Sequence, residues 1–324
     1  MTVPAATATT ADTGTVRCST VSVPVMLTLL PQTVRGQLCL PADHTPRTVQ
    51  LLVHGGTYNR TYWDIGDERY SYQRDMAAAG FATFAIDCLG SGQSSQPLST
   101  LLTGTTQAAV VSQVVTKLRS GAVSGTTFDK VILVGHSMGS GIVVVTAATF
   151  HGVDGVILTG MTHSMDLLRL TGIFVDGVRP AILDPRLSQR GSDPGYVTTM
   201  PGTRGVFHDP GDVTQAIVNA DEAVKDQVPA TVVPDLISLA FAGPLSAGIN
   251  VPVLIANGTD DTLFCAFACA GESELRTAEA PYFSPAAQLT VHLTPHAGHS
   301  VALSEHAAQH RTAIRNWMSE RFGS

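Results

Sequence analysis

No stretch of this sequence approaches the roughly 18 to 20 uninterrupted apolar residues that a membrane-spanning helix requires, so no membrane span is expected. Charge is scarce as well: only 14% of the 324 residues are Asp, Glu, Lys or Arg, and three of the 19 basic residues are lysines (Lys117, Lys130 and Lys225). Those basic residues are scattered, and the net charge is −7. A nucleic-acid-binding surface needs a clustered positive stripe, so nucleic acid is excluded as a partner and a small molecule is the better default. No Cys/His set has zinc spacing, and "CLGSGQS" lacks the lysine of a phosphate loop and reads as a tight turn. Catalysis, if present, is expected to need no metal or other cofactor.

What is abundant is apolar: 44% of the residues are hydrophobic, which favours a folded globular chain over a disordered one. The length suits one α/β core plus an insertion. Five cysteines need an account. Cys18 and Cys39 lie on two alternating segments, "VRCSTVSVPVMLT" and "TVRGQLCLP", that read as a hairpin, so a cross-strand disulfide is expected. Cys265 and Cys269, four apart in "FCAFACA", can pair in an irregular turn but not on a regular helix, and Cys88 is left over. Two pairs and an Ala/Thr-rich start suggest an exported, extracellular protein whose signal peptide is missing from this sequence. The alternative is a cytoplasmic protein with five reduced, packed cysteines.

Residues 1–14 lack periodicity and are expected to be a flexible start. Beyond the hairpin, buried-strand patterns alternate with helical ones: "TVQLLVHGG", "DERYSYQRDMAAAG", "FATFAIDCLG", "TQAAVVSQVVTKLRSG", "KVILVGHS", "MGSGIVVVTAATF" and "GVILTG". This predicts an α/β fold with a mostly parallel, doubly wound sheet, preceded by the antiparallel hairpin. The alternation stops over residues 165–248, a Pro-, Gly- and Asp-dense stretch with short helical patches and no strand pattern, read as an inserted helical cap. Residues 15–164 and 249–324 then form the core. Active sites in such sheets lie at the carboxyl ends of the strands, which directs attention to a few loops.

Gly135-His136-Ser137-Met138-Gly139 fits Gly-x-Ser-x-Gly between a strand and a helix, where a sharp turn exposes the serine Oγ. A coincidental pentapeptide in a tight corner is the competing reading. Gly139 and Gly141 read as clearance that lets the helix start close to the strand. A serine needs a base, and among eleven histidines His299 in "HAGHS" follows the last strand, with His296 as competitor. An imidazole base needs a carboxylate, and "NGTDD" supplies Asp261, with Asp260 and the remoter Asp166 as alternatives. Met138 and Gly56 are the expected backbone donors of an oxyanion hole, Thr57 being the competing register; His54 and His136 are read as structural. Tyr196 is a candidate for the border of a pocket.

Taken together, "HGG", "DCLGSGQS", "GHSMG", "NGTDD" and "HAGH" resemble the α/β-hydrolase fold superfamily over nearly the whole chain from about residue 16. The resemblance implies acyl transfer to water through a serine ester, with a variable cap shaping the pocket. A serine at 137 departs from epoxide hydrolases and haloalkane dehalogenases, the cap departs from cutinase-like enzymes, and Thr57-Tyr58 after "HGG" departs from the longer glycine run of one esterase branch. The expected function is cleavage of a small-molecule ester or lactone. An acyltransferase, thioesterase or peptidase would use the same residues, and a non-catalytic binding protein on this scaffold is the alternative of another class. The oligomeric state is not legible.

Overall fold

Every side chain of Thr48–Val53, Ala82–Ile86, Gly155–Thr159 and Val253–Gly258 is buried. Strands covered by helices on both faces have no solvent side, which is why these segments are mostly apolar and do not alternate, the polar Gln50, Thr83 and Asn257 among them being buried as well. The computed structural model of the chain describes residues 11–323 apart from residues 13 and 266.

Among the described residues nine strands form the main sheet: β1 (Ala11–Asp12), β2 (Val16–Leu27), β3 (Leu30–Pro41), β4 (Thr48–Val53), β5 (Ala82–Ile86), β6 (Lys130–His136), β7 (Gly155–Thr159), β11 (Val253–Gly258) and β12 (Thr290–Thr294). Their spatial order is β1-β2-β3-β5-β4-β6-β7-β11-β12. All neighbours from β5 to β12 pair in parallel, while β1, β2 and β3 attach antiparallel at one edge. The helices are α1 (Tyr72–Ala78), α2 (Gly104–Arg119), α3 (Met138–Thr149), α4 (Leu167–Asp176), α5 (Gln215–Val224), α6 (Val232–Leu236), α7 (Glu272–Glu279) and α8 (Ala307–Phe322). The period-2 geometry of a strand splits β4 between two cores: Val49, Leu51 and Val53 join the cluster that contains α2 and α3, and Leu52 joins Trp63, Tyr72 and Trp317 on the other face.

The β2–β3 hairpin has the expected register. Cys18 stands opposite Cys39, their Cα atoms 4.1 Å apart and their sulfurs at disulfide-bonding distance. Cys265 and Cys269 form a second such pair in a turn, Cα–Cα 5.2 Å, and Cys88 is buried and unpaired. Of the start expected to be flexible, residues 1–10 and 13 lie outside the described residues, whereas Ala11–Asp12 pairs with Arg17 and Cys18.

The segment 165–248 holds three helices and, in addition, a small antiparallel sheet in which β9 (Tyr196–Thr199) lies between β8 (Val178–Pro180) and β10 (Val228–Pro229). Strands of two to four residues are too short to show a period, so the sequence carries no strand signal there. The second half of the segment merges with the core: Val232, Leu236, Ala240 and Phe241 belong to the same apolar cluster as Ile142 and Val145 of α3. Among the described residues no helix is long and apolar enough to cross a membrane.

Candidate active site

The turn between β6 and α3 is built around Ser137, whose φ of 53° and ψ of −119° are unusual for a residue with a side chain. Such a conformation costs about 1–3 kcal/mol and persists only when its surroundings over-determine it. Here the Ser137 N–H donates to Thr159 O (2.8 Å), and Ser137 O accepts from the N–H groups of Ser140 (2.9 Å) and Gly141 (3.2 Å). A Cβ on Gly135 would strike the Ser140 backbone, and one on Gly139 would strike the carbonyl oxygens of Val53 and His54. Both glycines of the pentapeptide are therefore required by backbone packing. Gly141 differs from the expectation. Its nearest neighbours are the side chains of Phe241 and Leu236, so it makes room for these two residues and not for the strand.

His299 lies in the loop after β12 and Asp261 in the turn after β11, and the parallel pairing of these two strands brings the loops together. His299 Nδ1 and Asp261 Oδ2 are 2.9 Å apart, with both side chains buried. The other carboxylate oxygen of Asp261 accepts from the N–H groups of Leu263 (3.0 Å) and Phe264 (3.1 Å), which fixes the carboxylate plane. Phe264 stacks on the imidazole at 5.5 Å. No hydrogen bond joins Ser137 Oγ to His299 among the described residues, but both line one cavity. Catalytic hydrogen bonds are often long without substrate and shorten when it binds.

The competitors sit elsewhere. Asp260 is half-exposed and faces His296 at 3.9 Å, and Asp166 caps α4 by accepting from the Arg169 N–H. His54 is buried, with Nδ1 toward Gly55 O (2.8 Å) and Nε2 accepting from the Cys88 N–H (3.1 Å). His136 stacks on Tyr62 at 4.3 Å, and burial, reinforced by the neighbouring His299, holds its basicity well below that of an ordinary histidine. Both are packing residues. A further Ser–His–acid arrangement, absent from the sequence reading, joins Ser246 Oγ to His163 Nε2 (3.0 Å) and His163 Nδ1 to Glu279 Oε2 (2.6 Å). Ser246 and Glu279 have no exposed surface and Tyr282 stacks on the imidazole at 3.8 Å, so no substrate reaches that serine.

Gly56 and Met138 face each other across the mouth of the turn, a Cβ at Gly56 lying 3.8 Å from the Met138 Sδ. The N–H groups of Gly56, Thr57 and Met138 have no intramolecular acceptor among the described residues. Thr57 has a φ of 59°, and its hydroxyl donates to Gly56 O (2.6 Å).

Around Ser137 and His299 lies a cavity with about 700 Å³ of interatomic space, most of its wall supplied by residues 165–248. Leu170, Phe174, Val197, Val233, Ile237 and Phe241 are among the lining residues, and no Asp, Glu, Lys or Arg lines it among the described residues. Tyr196, a candidate for the border, is a packing residue: it is fully buried, its hydroxyl donating to Pro97 O (2.6 Å), and the adjacent Val197 takes the wall position because neighbouring strand residues face opposite ways. Behind the wall is an ion pair that the sequence reading missed, Arg204 with Asp221, both without exposed surface. Nothing local marks it, since Arg204 stands in "PGTRGVF" like any loop arginine and its partner is 17 residues away. Among the described residues no group of three or more His, Cys, Asp or Glu is placed to hold a metal ion.

Comparison with known proteins bears on the fold. Solved structures of similar fold include a thermophilic esterase from Thermogutta terrifontis (TM-score 0.61, 18% identity, 92% of this chain and 98% of that one). Others are DcsB in complex with its substrate analogue (0.62, 17%, 94% and 99%) and Est1E from Butyrivibrio proteoclasticus with ferulic acid bound (0.56, 15%, 93% and 100%). Identities this low speak for the shared fold alone. No curated protein matches the chain significantly. The sequence profile of the alpha/beta hydrolase family matches residues 50–311, which span the strand before "HGG", the Ser137 turn and the loops of Asp261 and His299, and the chain belongs to that family.

Proposed function

We propose that the protein is a serine hydrolase that cleaves carboxylic esters, lactones included, at Ser137. The observation that carries this reading is the His299–Asp261 pair standing on the same cavity wall as a serine held at the apex of a strained strand-to-helix turn. His299 Nε2 takes the Ser137 proton as Oγ attacks the ester carbonyl, while Asp261 keeps the proton on Nδ1 and offsets the imidazolium charge. The carbonyl oxygen, now anionic, receives the N–H groups of Gly56 and Met138, each such donor being worth about 3–4 kcal/mol. Collapse of this intermediate breaks the C–O bond, and the departing alkoxide takes the proton from His299. Water then attacks the acyl-enzyme, its proton passing through His299 back to Ser137 Oγ as the acid leaves.

The cavity argues for an uncharged substrate. Bringing a carboxylate or ammonium into a wall of Leu, Ile, Val and Phe would cost its hydration with no partner to offset it. Residues 165–248 serve as the cap that shapes this pocket. The two cysteine pairs support an oxidising, extracellular setting.

An activated p-nitrophenyl ester of a short aliphatic acid tests the reading. Stopped-flow absorbance is expected to show a burst of alcohol approaching one equivalent per protein, followed by slower turnover. Ser137→Ala should give neither phase. A linear trace that Ser137→Ala leaves unchanged would contradict the assignment.

A further inference from the structure

Removing a guanidinium and a carboxylate from water costs several kcal/mol per ion, and the resulting pair seldom repays this as stability. What the Arg204–Asp221 pair touches is therefore the better guide to its role. Arg204 Nε and Nη2 donate to Asp221 Oδ2 (3.2 Å) and Oδ1 (2.6 Å). The third nitrogen, Nη1, points away from the carboxylate and donates to Thr57 Oγ1 (2.8 Å) and to Thr57 O (3.4 Å). Thr57 follows Gly56 and is a β-branched residue at positive φ, a conformation that needs outside support. A third bond from the inserted segment, from the Asp226 N–H to Thr57 O (2.8 Å), completes that support.

The same carboxylate is linked to the histidine loop through Tyr58. Asp221 Oδ2 accepts from the Tyr58 hydroxyl (3.2 Å) and lies 3.0 Å from His208 Nε2. The Tyr58 hydroxyl also shares a 2.6 Å hydrogen bond with Ser300 Oγ, on the residue directly after His299. The Arg204 guanidinium lies 3.8 Å over the Tyr58 ring, and the Ser300 N–H donates to Phe207 O (2.7 Å). One charged node in the inserted segment thus grips the loop that carries Gly56 and the loop that carries His299.

We propose that Arg204 and Asp221 are positioning residues for the hydrolytic reaction, holding the oxyanion-side backbone at Gly56–Thr57 and the His299 loop in mutual register. The inserted segment is then a fixed part of the catalytic unit and not a lid that swings clear of it. This inference rests on the ester-hydrolase reading above.

The test replaces the two charges together, Arg204→Met with Asp221→Leu, because exchanging a whole buried pair for apolar residues is often neutral or stabilising, whereas removing one partner strands a buried charge. A displaced reacting geometry of about 1 Å costs on the order of 100-fold in rate. On a p-nitrophenyl ester, kcat per phosphonate-titrated site is accordingly expected to fall about 30- to 100-fold with KM within about threefold. Arg204→Lys, which keeps a charge for Asp221 but lacks a second arm for Thr57, should lose at least about tenfold in the same parameter, and it decides the matter if the double variant does not fold. Folded variants with undiminished kcat, or with only KM raised, would overturn the positioning role while leaving the hydrolase reading intact. A wild-type turnover that Ser137→Ala leaves unchanged would overturn that reading, and this inference with it.

Discussion

Asp261→Asn is expected to lower kcat about 10⁴-fold on an activated ester while the protein stays folded and KM changes little. The size of the effect follows from the hydrogen bonds around the carboxylate. Oδ1 accepts from two backbone N–H groups, those of Leu263 and Phe264, so an asparagine must keep its carbonyl oxygen there. Its NH₂ group then faces His299 Nδ1, which the wild-type geometry places against the other carboxylate oxygen. Nδ1 is forced to accept, the ring proton moves to Nε2, and the imidazole can no longer take a proton from Ser137. Turning the amide over would set its NH₂ against two N–H donors and leave both unsatisfied, a worse arrangement. Asp260→Asn, at a half-exposed carboxylate 3.9 Å from His296, should stay within about twofold of wild type, in line with surface substitutions generally. Steady-state kinetics on the two variants, with circular dichroism to verify folding, separates the candidates; a loss confined to Asp260→Asn would move the acid to that residue.

The second large effect is on stability. His54, His136 and His310 have no exposed surface, and burial lowers the basicity of each; His310 is pushed down to about 3. An unfolded histidine takes up its proton near pH 6.5. Below that pH the unfolded chain therefore binds protons that the folded one refuses, and stability falls as pH falls until the folded-state value is passed. Each such histidine contributes a slope of up to about 1.4 kcal/mol per pH unit, so His136 and His310 together approach roughly 3 kcal/mol per unit below about pH 6. Urea unfolding between pH 7 and 4 should show this steep loss, and His310→Phe should flatten it by about one histidine's share. A flat stability profile over the same interval would mean that these rings are solvated or charged in the folded state.

The core was legible because burial on both faces leaves a strong mark, and Thr48–Val53 and Gly155–Thr159 could scarcely be anything else. The candidate loops were legible for a related reason: once the sheet is parallel, the ends of β6, β11 and β12 must lie at one edge, and the loops that carry Ser137, Asp260–Asp261 and His299 are the ones to inspect. The choice between Asp260 and Asp261 was not legible, because neighbouring residues in a turn differ by a backbone rotation that no spacing records. The strands of residues 165–248 were missed for want of length. The helix Glu272–Glu279 was not singled out, since its charged face dominates and only Leu275 and Glu279 are buried. The Arg204–Asp221 node escaped for a deeper reason. A buried ion pair is defined by tertiary neighbours, here Thr57, Tyr58 and Ser300, that are distant in the chain.

Covalent labelling tests the central claim, that Ser137 is the nucleophile, most directly. The folded protein is incubated with a fluorophosphonate, and its digest is read by mass spectrometry. One phosphonyl adduct is predicted, on the peptide that contains Ser137, absent from Ser137→Ala and formed far more slowly in His299→Ala. No adduct on folded protein, or an adduct on another serine such as the enclosed Ser246, would contradict it.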